Sequence, residues 1–436
     1  MLLPNVPTML VTRAELAVPA RGEITRAQRT ELADVLAEGA IEAGFQQIVE
    51  LATRRVVGWE ALARGPRGSD LERPDKLFAA ARAAGRLDEL DCLCQRAALR
   101  AALDAGVRAP CVLFLNIEPA TSGFLPLDLR NLYSRATAQM TVCVEVTERA
   151  LTQRPASLLA HVADMRAMGV AVALDDVGTD ADTLAMMSLL EPEVIKLDLA
   201  LVQGSPDAEI AEVVHAVAAQ AERTGARVLV EGVETEEHAR TGDALGATLA
   251  QGWLYGRRET VIELPEPPRE PVVLPGRHPD PRDMAPFALA TSAGRAPRPA
   301  SAALLLAMTQ HLEDQAKSLG RTAVLVAAFD DRERRFTPHL RHRYGQLGRE
   351  LAFCAIVGQG LPVDPAPGVH GGTLAAGDAA GGEWTIAVVS PHFAAALVAH
   401  ERREPGPDGE QLYDYVLTYE RECATAVAAA LTARVA

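Results

Sequence analysis

Positive charge is scarce in this chain: 43 lysines and arginines face 58 aspartates and glutamates, a formal net charge of −15. Such a surface repels nucleic acid and anionic lipid, so general nucleic-acid binding is excluded. A phosphate-bearing ligand would need bound cations or a local basic pocket. The six cysteines (Cys92, Cys94, Cys111, Cys143, Cys354, Cys423) form no CxxC pair and have no histidine partners. That excludes a disulfide framework and a zinc site, and it points to a reduced, intracellular setting. Cys92 and Cys94 lie two apart on a helical stretch, so they face different ways. No run of about 18 uninterrupted apolar residues occurs, and the N-terminus has no basic segment leading into one. We therefore expect a soluble cytoplasmic protein without membrane insertion. Aromatics are only 4%, yet 48% hydrophobic and 23% charged residues make a globular mixture rather than a disordered one.

At 436 residues the chain has room for two or three domains. Residues 1–34 read as a lead-in ending in a short helix, TRAQRTELADVLAEG. Over 35–258, short β-rich runs alternate with alanine- and leucine-rich helical stretches. The runs are QQIVELATRRVVGWEAL (a hairpin), CVLFLNI, VCVEVTE, VAVALDDVG, VIKLD, RVLVEGV and TLAQGWLYG. Continuously apolar strands between helices indicate a parallel sheet covered on both faces, and the number of repeats fits one closed TIM-like (β/α) barrel. Residues 259–299 carry about a third of the 28 prolines, a density that argues against regular helix or central strand. They read as an extended linker. Residues 300–436 read as a smaller α/β domain: a helix, the strands TAVLVAAF, ELAFCAIVGQ and EWTIAVVS, then helices over HFAAALVAHER and ATAVAAALTARV.

The strand ends of the first unit carry the chemistry. They finish in succession on Glu60, Asn116, Glu145, Asp175 with Asp176, Lys196, Glu231 and Gln251. A single acid at a strand end is most often a helix cap. Seven successive ends that all carry oxygen or ammonium groups are not explained that way. In a (β/α) barrel these ends share one mouth, where active sites are built. Five carboxylates gathered there repel one another unless cations bind between them. A cluster without thiolate or imidazole selects hard divalent ions, Mg²⁺ or Mn²⁺. Adjacent Asp175 and Asp176 could bridge two ions, the recurring device for attack at phosphorus. Burial would lower the pKa of Lys196 while its negative neighbours raise it, and the sequence leaves the outcome open.

Glu60-Ala61-Leu62 followed by Arg64 resembles the signature of the EAL domain, the cyclic di-GMP phosphodiesterase family, over residues 35–258. The resemblance implies hydrolysis of cyclic di-GMP to 5′-pGpG with two Mg²⁺ or Mn²⁺ ions per site. It implies metal ligation by Glu60, Asn116, Glu145, Asp175, Asp176 and Glu231. Catalytic roles fall to Glu60, Lys196, Glu231 and Gln251, and substrate contacts to Arg64, Leu62 and Gln46. Glu148 would anchor the loop after the double aspartate, and the helix beyond that loop contributes to a homodimer in the family. The loop itself departs from the family's DDFGTGxSS: it reads Asp175-Asp176-Val177-Gly178-Thr179-Asp180-Ala181-Asp182-Thr183. Loop closure and pairing are where this chain could differ.

The C-terminal unit resembles the DICT sensory domain through TAVLVAAFDDRERRFTPHLRHRY and GGEWTIAVVSPHFAAALVAHER, with Phe329, Tyr344, Glu383, Trp384 and Phe393 in order. It carries no catalytic constellation, and the basic run Arg332–Arg343 reads as a solvated face. A regulatory signal or protein partner is expected there. The alternative reading is a non-catalytic cyclic di-GMP receptor or scaffold that signals through this domain.

Overall fold

The computed structural model describes residues 25–118, 125–147, 155–178, 181–204, 207–260, 262, 274, 284–292, 294–329, 337–402 and 410–435. Eight strands close a barrel in chain order: β1 Glu42–Glu50, β2 Val56–Arg64, β3 Val112–Asn116, β4 Thr141–Thr147, β5 Ala171–Val177, β6 Val194–Leu197, β7 Arg227–Val230 and β8 Leu249–Gln251. The β1–β2 hairpin makes β1 antiparallel to both of its neighbours, and every other pair is parallel. Helix Arg26–Glu38 leads in. Thr25 closes a capping box at its start, and Gly39 ends it in the left-handed region.

The two-residue period of the strands sorts side chains into an inside and an outside. Ile48, Phe114, Cys143, Ala173, Val194, Leu229 and Leu249 share a cluster inside the barrel. Their neighbours Leu113, Leu115, Val142, Val144, Val172, Ile195 and Val228 belong to the outer core. Gly58 lets β2 approach β3: a Cβ there would lie 2.2 Å from the Val112 carbonyl oxygen. Leu274, from the proline-rich stretch, packs against the interior cluster.

The C-terminal domain is a seven-stranded sheet in the order β12-β11-β10-β13-β14-β15-β9. Its strands are β9 Arg298–Ser301, β10 Val324–Ala328, β11 Phe353–Gly358, β12 His370–Thr373, β13 Glu383–Val389, β14 Ala394–Glu401 and β15 Leu412–Thr418. Helices Ala302–Leu319 and Pro338–Glu350 cover one face, and helix Arg421–Thr432 covers the other.

Two sequence expectations fail here. The segment HFAAALVAHER is not a helix; Ala394–Glu401 is a strand hydrogen-bonded to β13 and β15. Its first six residues are buried, so long-range pairing overrides alanine's helical preference. The proline-rich stretch is not uniformly extended. Helix Pro286–Ser292 starts on a proline, at the position where a missing amide hydrogen costs nothing. Pro299 sits in β9, an edge strand, where proline is tolerated. Among the described residues no helix is long and apolar enough to cross a membrane.

Candidate active site

Two residues beyond the apolar interior layer, the same inward phase becomes polar. Gln46 follows Ile48 back along β1, Asn116 follows Phe114, and Glu145 follows Cys143. Asp175 follows Ala173, Lys196 follows Val194, Glu231 follows Leu229, and Gln251 follows Leu249. Glu60 pairs across from Gln46, and Leu62 and Arg64 continue its phase toward the rim opposite Gly44 and Glu42. The barrel therefore stacks a polar layer on an apolar one.

Lys196 is the hub of that layer. Its Nζ lies 2.7 Å from Glu145 Oε1, 2.7 Å from Glu231 Oε1, 3.0 Å from Asp175 Oδ1 and 4.0 Å from Glu60 Oε1. Glu60 accepts from Asn116 Nδ2 at 2.8 Å and from Gln251 Nε2 at 2.6 Å. The Gln251 amide also donates to Gln46 Oε1 at 3.1 Å, and Gln46 donates to the Gly256 carbonyl at 3.2 Å. Glu145 Oε2 is buried and receives no hydrogen bond.

β5 has a register shift after Leu174, and Asp176 has φ 61°. A regular strand would send successive side chains to opposite faces. The bulge and the left-handed residue instead let Asp175 and Asp176 converge. Oxygens of Asp175, Asp176 and Glu231 all lie within 4.8 Å of one another. Gly178 follows with φ 110°, and a Cβ there would lie 2.5 Å from Leu201 Cδ1. Glu148 and Asp180 fall outside the described residues, as do the side chains of Ala181–Thr183.

One ammonium serves four carboxylates within 4.0 Å, and the acidities of Glu145, Asp176 and Glu231 record the crowding. Burial, then repulsion from Glu60, holds Glu145 well above the usual carboxylate range. Burial and neighbouring Asp175 push Asp176 up to about 6. Burial pushes Glu231 to about 8, against the lowering effect of Lys196. For Lys196 burial acts downward, but Asp175, Glu145, Glu231 and Glu60 outweigh it and raise the pKa well above normal. The carboxylates win; Lys196 keeps its proton.

Two features lie outside the sequence expectations. At the rim, burial and nearby Arg258 lower the pKa of Arg64, and among the described residues neither arginine forms an ion pair with a carboxylate. Glu42, opposite Arg64 in register, is taken by Arg67 at 3.0 Å. Two guanidiniums side by side suit an anionic ligand. Beneath the segment after Asn116, buried Asp91 accepts from the Glu118 amide at 3.2 Å and from Gln95 Nε2 at 2.6 Å. Tyr133 in turn donates to Gln95 Oε1 at 2.8 Å. The sequence signal for this network is an Asp–Gln pair four apart in an apolar helix. Burial pushes the Cys92 thiol up to about 11 and Cys94 higher still, which fits packing rather than ligation.

Residues 29–258, more than half of the chain, match the EAL domain family. The chain is an EAL protein. Residues 286–402 match the DICT domain, a sensory domain in diguanylate cyclases and two-component systems. This EAL protein is 31% identical over 247 residues to the cyclic di-GMP phosphodiesterase RocR of Pseudomonas aeruginosa, covering 54% of this chain and 62% of RocR. It is 28% identical over 243 residues to the cyclic di-GMP phosphodiesterase NbdA of the same organism, covering 54% of this chain and 31% of NbdA. Among solved structures, Klebsiella pneumoniae BlrP1 in complex with calcium and cyclic di-GMP aligns with a TM-score of 0.45 at 28% identity, covering 51% of this chain and 57% of BlrP1. The chain spans less than two thirds of the length of these relatives.

Proposed function

We propose that this EAL protein is a phosphodiesterase that opens cyclic di-GMP to 5′-pGpG with two divalent cations, Mg²⁺ or Mn²⁺, under control of its DICT domain. The observation that carries this reading is the polar layer, in which four carboxylates converge on a single ammonium and a fifth, Asp176, joins Asp175 and Glu231. The donor set fits hard cations: all oxygen, with Glu145 Oε2 buried and unpartnered and three carboxyl groups converging beside it. Glu60, Asn116, Glu145, Asp175, Asp176 and Glu231 would hold them. Bound divalent ions supply a lowered pKa for water and neutralise charge developing at a phosphoryl group.

The chain's own residues divide the remaining work. Lys196 holds a proton at Nζ and presents it toward oxygens in the cup. Gln251, fixed between Gln46 and Glu60, orients a polar group at the same level. Arg64 and Arg258 receive a phosphate at the rim, and Leu62 packs against the ligand. Purified protein with cyclic di-GMP and Mn²⁺ should yield 5′-pGpG by chromatography, and EDTA should stop it. Tight binding of intact ligand without product would make the protein a receptor instead.

The raised carboxyl pKa values set a pH dependence. Ligands must lose their protons to bind metal, so Mn²⁺ affinity should climb between pH 6 and 8 as Asp176 and Glu231 ionise. Without metal, the folded state holds these protons more tightly than the unfolded chain, so stability falls as pH rises from about 4.5 toward 8. The melting temperature of the apo protein should drop from pH 5 to pH 8, and Mn²⁺ should restore it at pH 8. A flat apo profile would refute this. We also propose a homodimer, for which light scattering should return twice the chain mass.

A further inference from the structure

Helix Ala181–Leu190 begins four residues after Val177, the last residue of β5, and so follows directly on the segment that carries Asp175 and Asp176. On the outside of a barrel, such a helix ordinarily keeps one face in water. Here Leu184, Ala185, Met186, Met187, Ser188, Leu189 and Leu190 are all buried, seven in succession. What covers the second face is the C-terminal domain. The turn Gly320–Thr322, strand β11 and helix Arg421–Thr432 all pack on this helix, and Arg421–Thr432 also touches helix Pro155–Ala167 of the barrel. Phe353, Ala355 and Val357 of β11 and Ala424, Val427 and Ala428 of the last helix join the barrel's outer core in one continuous cluster.

We infer that the DICT domain is a clamp on the metal loop: seated, it holds helix Ala181–Leu190 and so keeps Asp175 and Asp176 converged; unseated, it lets them part. This rests on the metal reading above and adds the direction of control. On the carboxylate side of this junction Val177 is buried and Gly178 lies close against Leu201, so these two residues have little room to move independently of the bulge. Displacement of the helix is therefore transmitted to the bulge. The same seating occupies the helix face from within the chain, so a homodimer must use another surface while the clamp is closed. The seam also contains a weak point. Arg421 at the start of the last helix is half-buried, and burial first, then the like charge of Arg223 on the barrel's Ala208–Thr224 helix, push its pKa down to about 10. Attraction replaces repulsion if one sign is reversed.

The test uses full-length protein, Mn²⁺ titration calorimetry and hydrogen exchange. Val427→Asp, which puts a charge into the seam, should speed exchange in the 171–178 and 184–190 peptides and raise the Mn²⁺ Kd at least about fivefold. Arg223→Glu, a change on the barrel side that leaves the C-terminal core intact, should slow exchange in both peptides and leave Mn²⁺ binding equal or tighter. Faster exchange at 184–190 with an unchanged 171–178 peptide and unchanged Kd would overturn the coupling. So would an Arg223→Glu chain identical to wild type in both peptides. If wild type binds no Mn²⁺, the metal reading fails by itself, and exchange at 171–178 still decides whether the clamp reaches the loop.

Discussion

Lys196→Met will abolish turnover, by a factor on the order of 10³ or more, and will destabilise the metal-free protein more at pH 8 than at pH 5. Lys196 is 1% exposed and holds three carboxylates within 3.0 Å. Its removal leaves Glu145, Asp175 and Glu231 facing one another with no cation between them. Breaking a buried ion pair in this way typically costs about 3–5 kcal/mol. Protonation relieves the repulsion, so the loss shrinks as pH falls through the carboxyl range. Mn²⁺ should recover part of the melting temperature but none of the turnover. A variant with wild-type stability at pH 8 would show that the ammonium is not the counter-charge of the layer; one with full turnover would remove it from the mechanism.

Glu60→Ala should be equally severe for catalysis, through a different route. The two oxygens of Glu60 are the meeting point of Asn116 and Gln251, at 2.8 and 2.6 Å. Losing them removes a proposed metal ligand, frees the Asn116 amide and leaves the Gln251 amide held by Gln46 alone. We expect Mn²⁺ binding to weaken by at least about tenfold and 5′-pGpG formation to fall by about three orders of magnitude. Binding of intact cyclic di-GMP through the rim arginines should survive. Chromatography and calorimetry on the same preparation read both effects. Wild-type turnover in this variant would sink the role given to Glu60.

Much of the barrel and its polar layer is legible in the sequence because one rule governs both. Inward apolar residues such as Val194, Leu229 and Leu249 set the phase, and the next residue in phase is Lys196, Glu231 or Gln251. The β5 bulge is not legible, since a positive φ at Asp176 leaves no mark in sequence. Asp91 escapes notice because an acid near a helix start reads as a surface group until burial is known. The Ala181–Leu190 helix does hold a signal: LAMMSLL is apolar all round, which requires cover on both faces. The strand Ala394–Glu401 reads as a helix because its partners β13 and β15 are brought to it by the fold, while local preference favours helix.

Leu274 has a kinetic consequence. By seating against the barrel's interior cluster it shortens the tether of the DICT domain to the stretch between itself and Pro286, a reach of at most about 43 Å. A domain released on such a leash stays at an effective concentration on the order of millimolar around its own seat. Re-closure is then unimolecular and indifferent to how much protein is present. A signal that opens the clamp must outcompete a neighbour that never leaves.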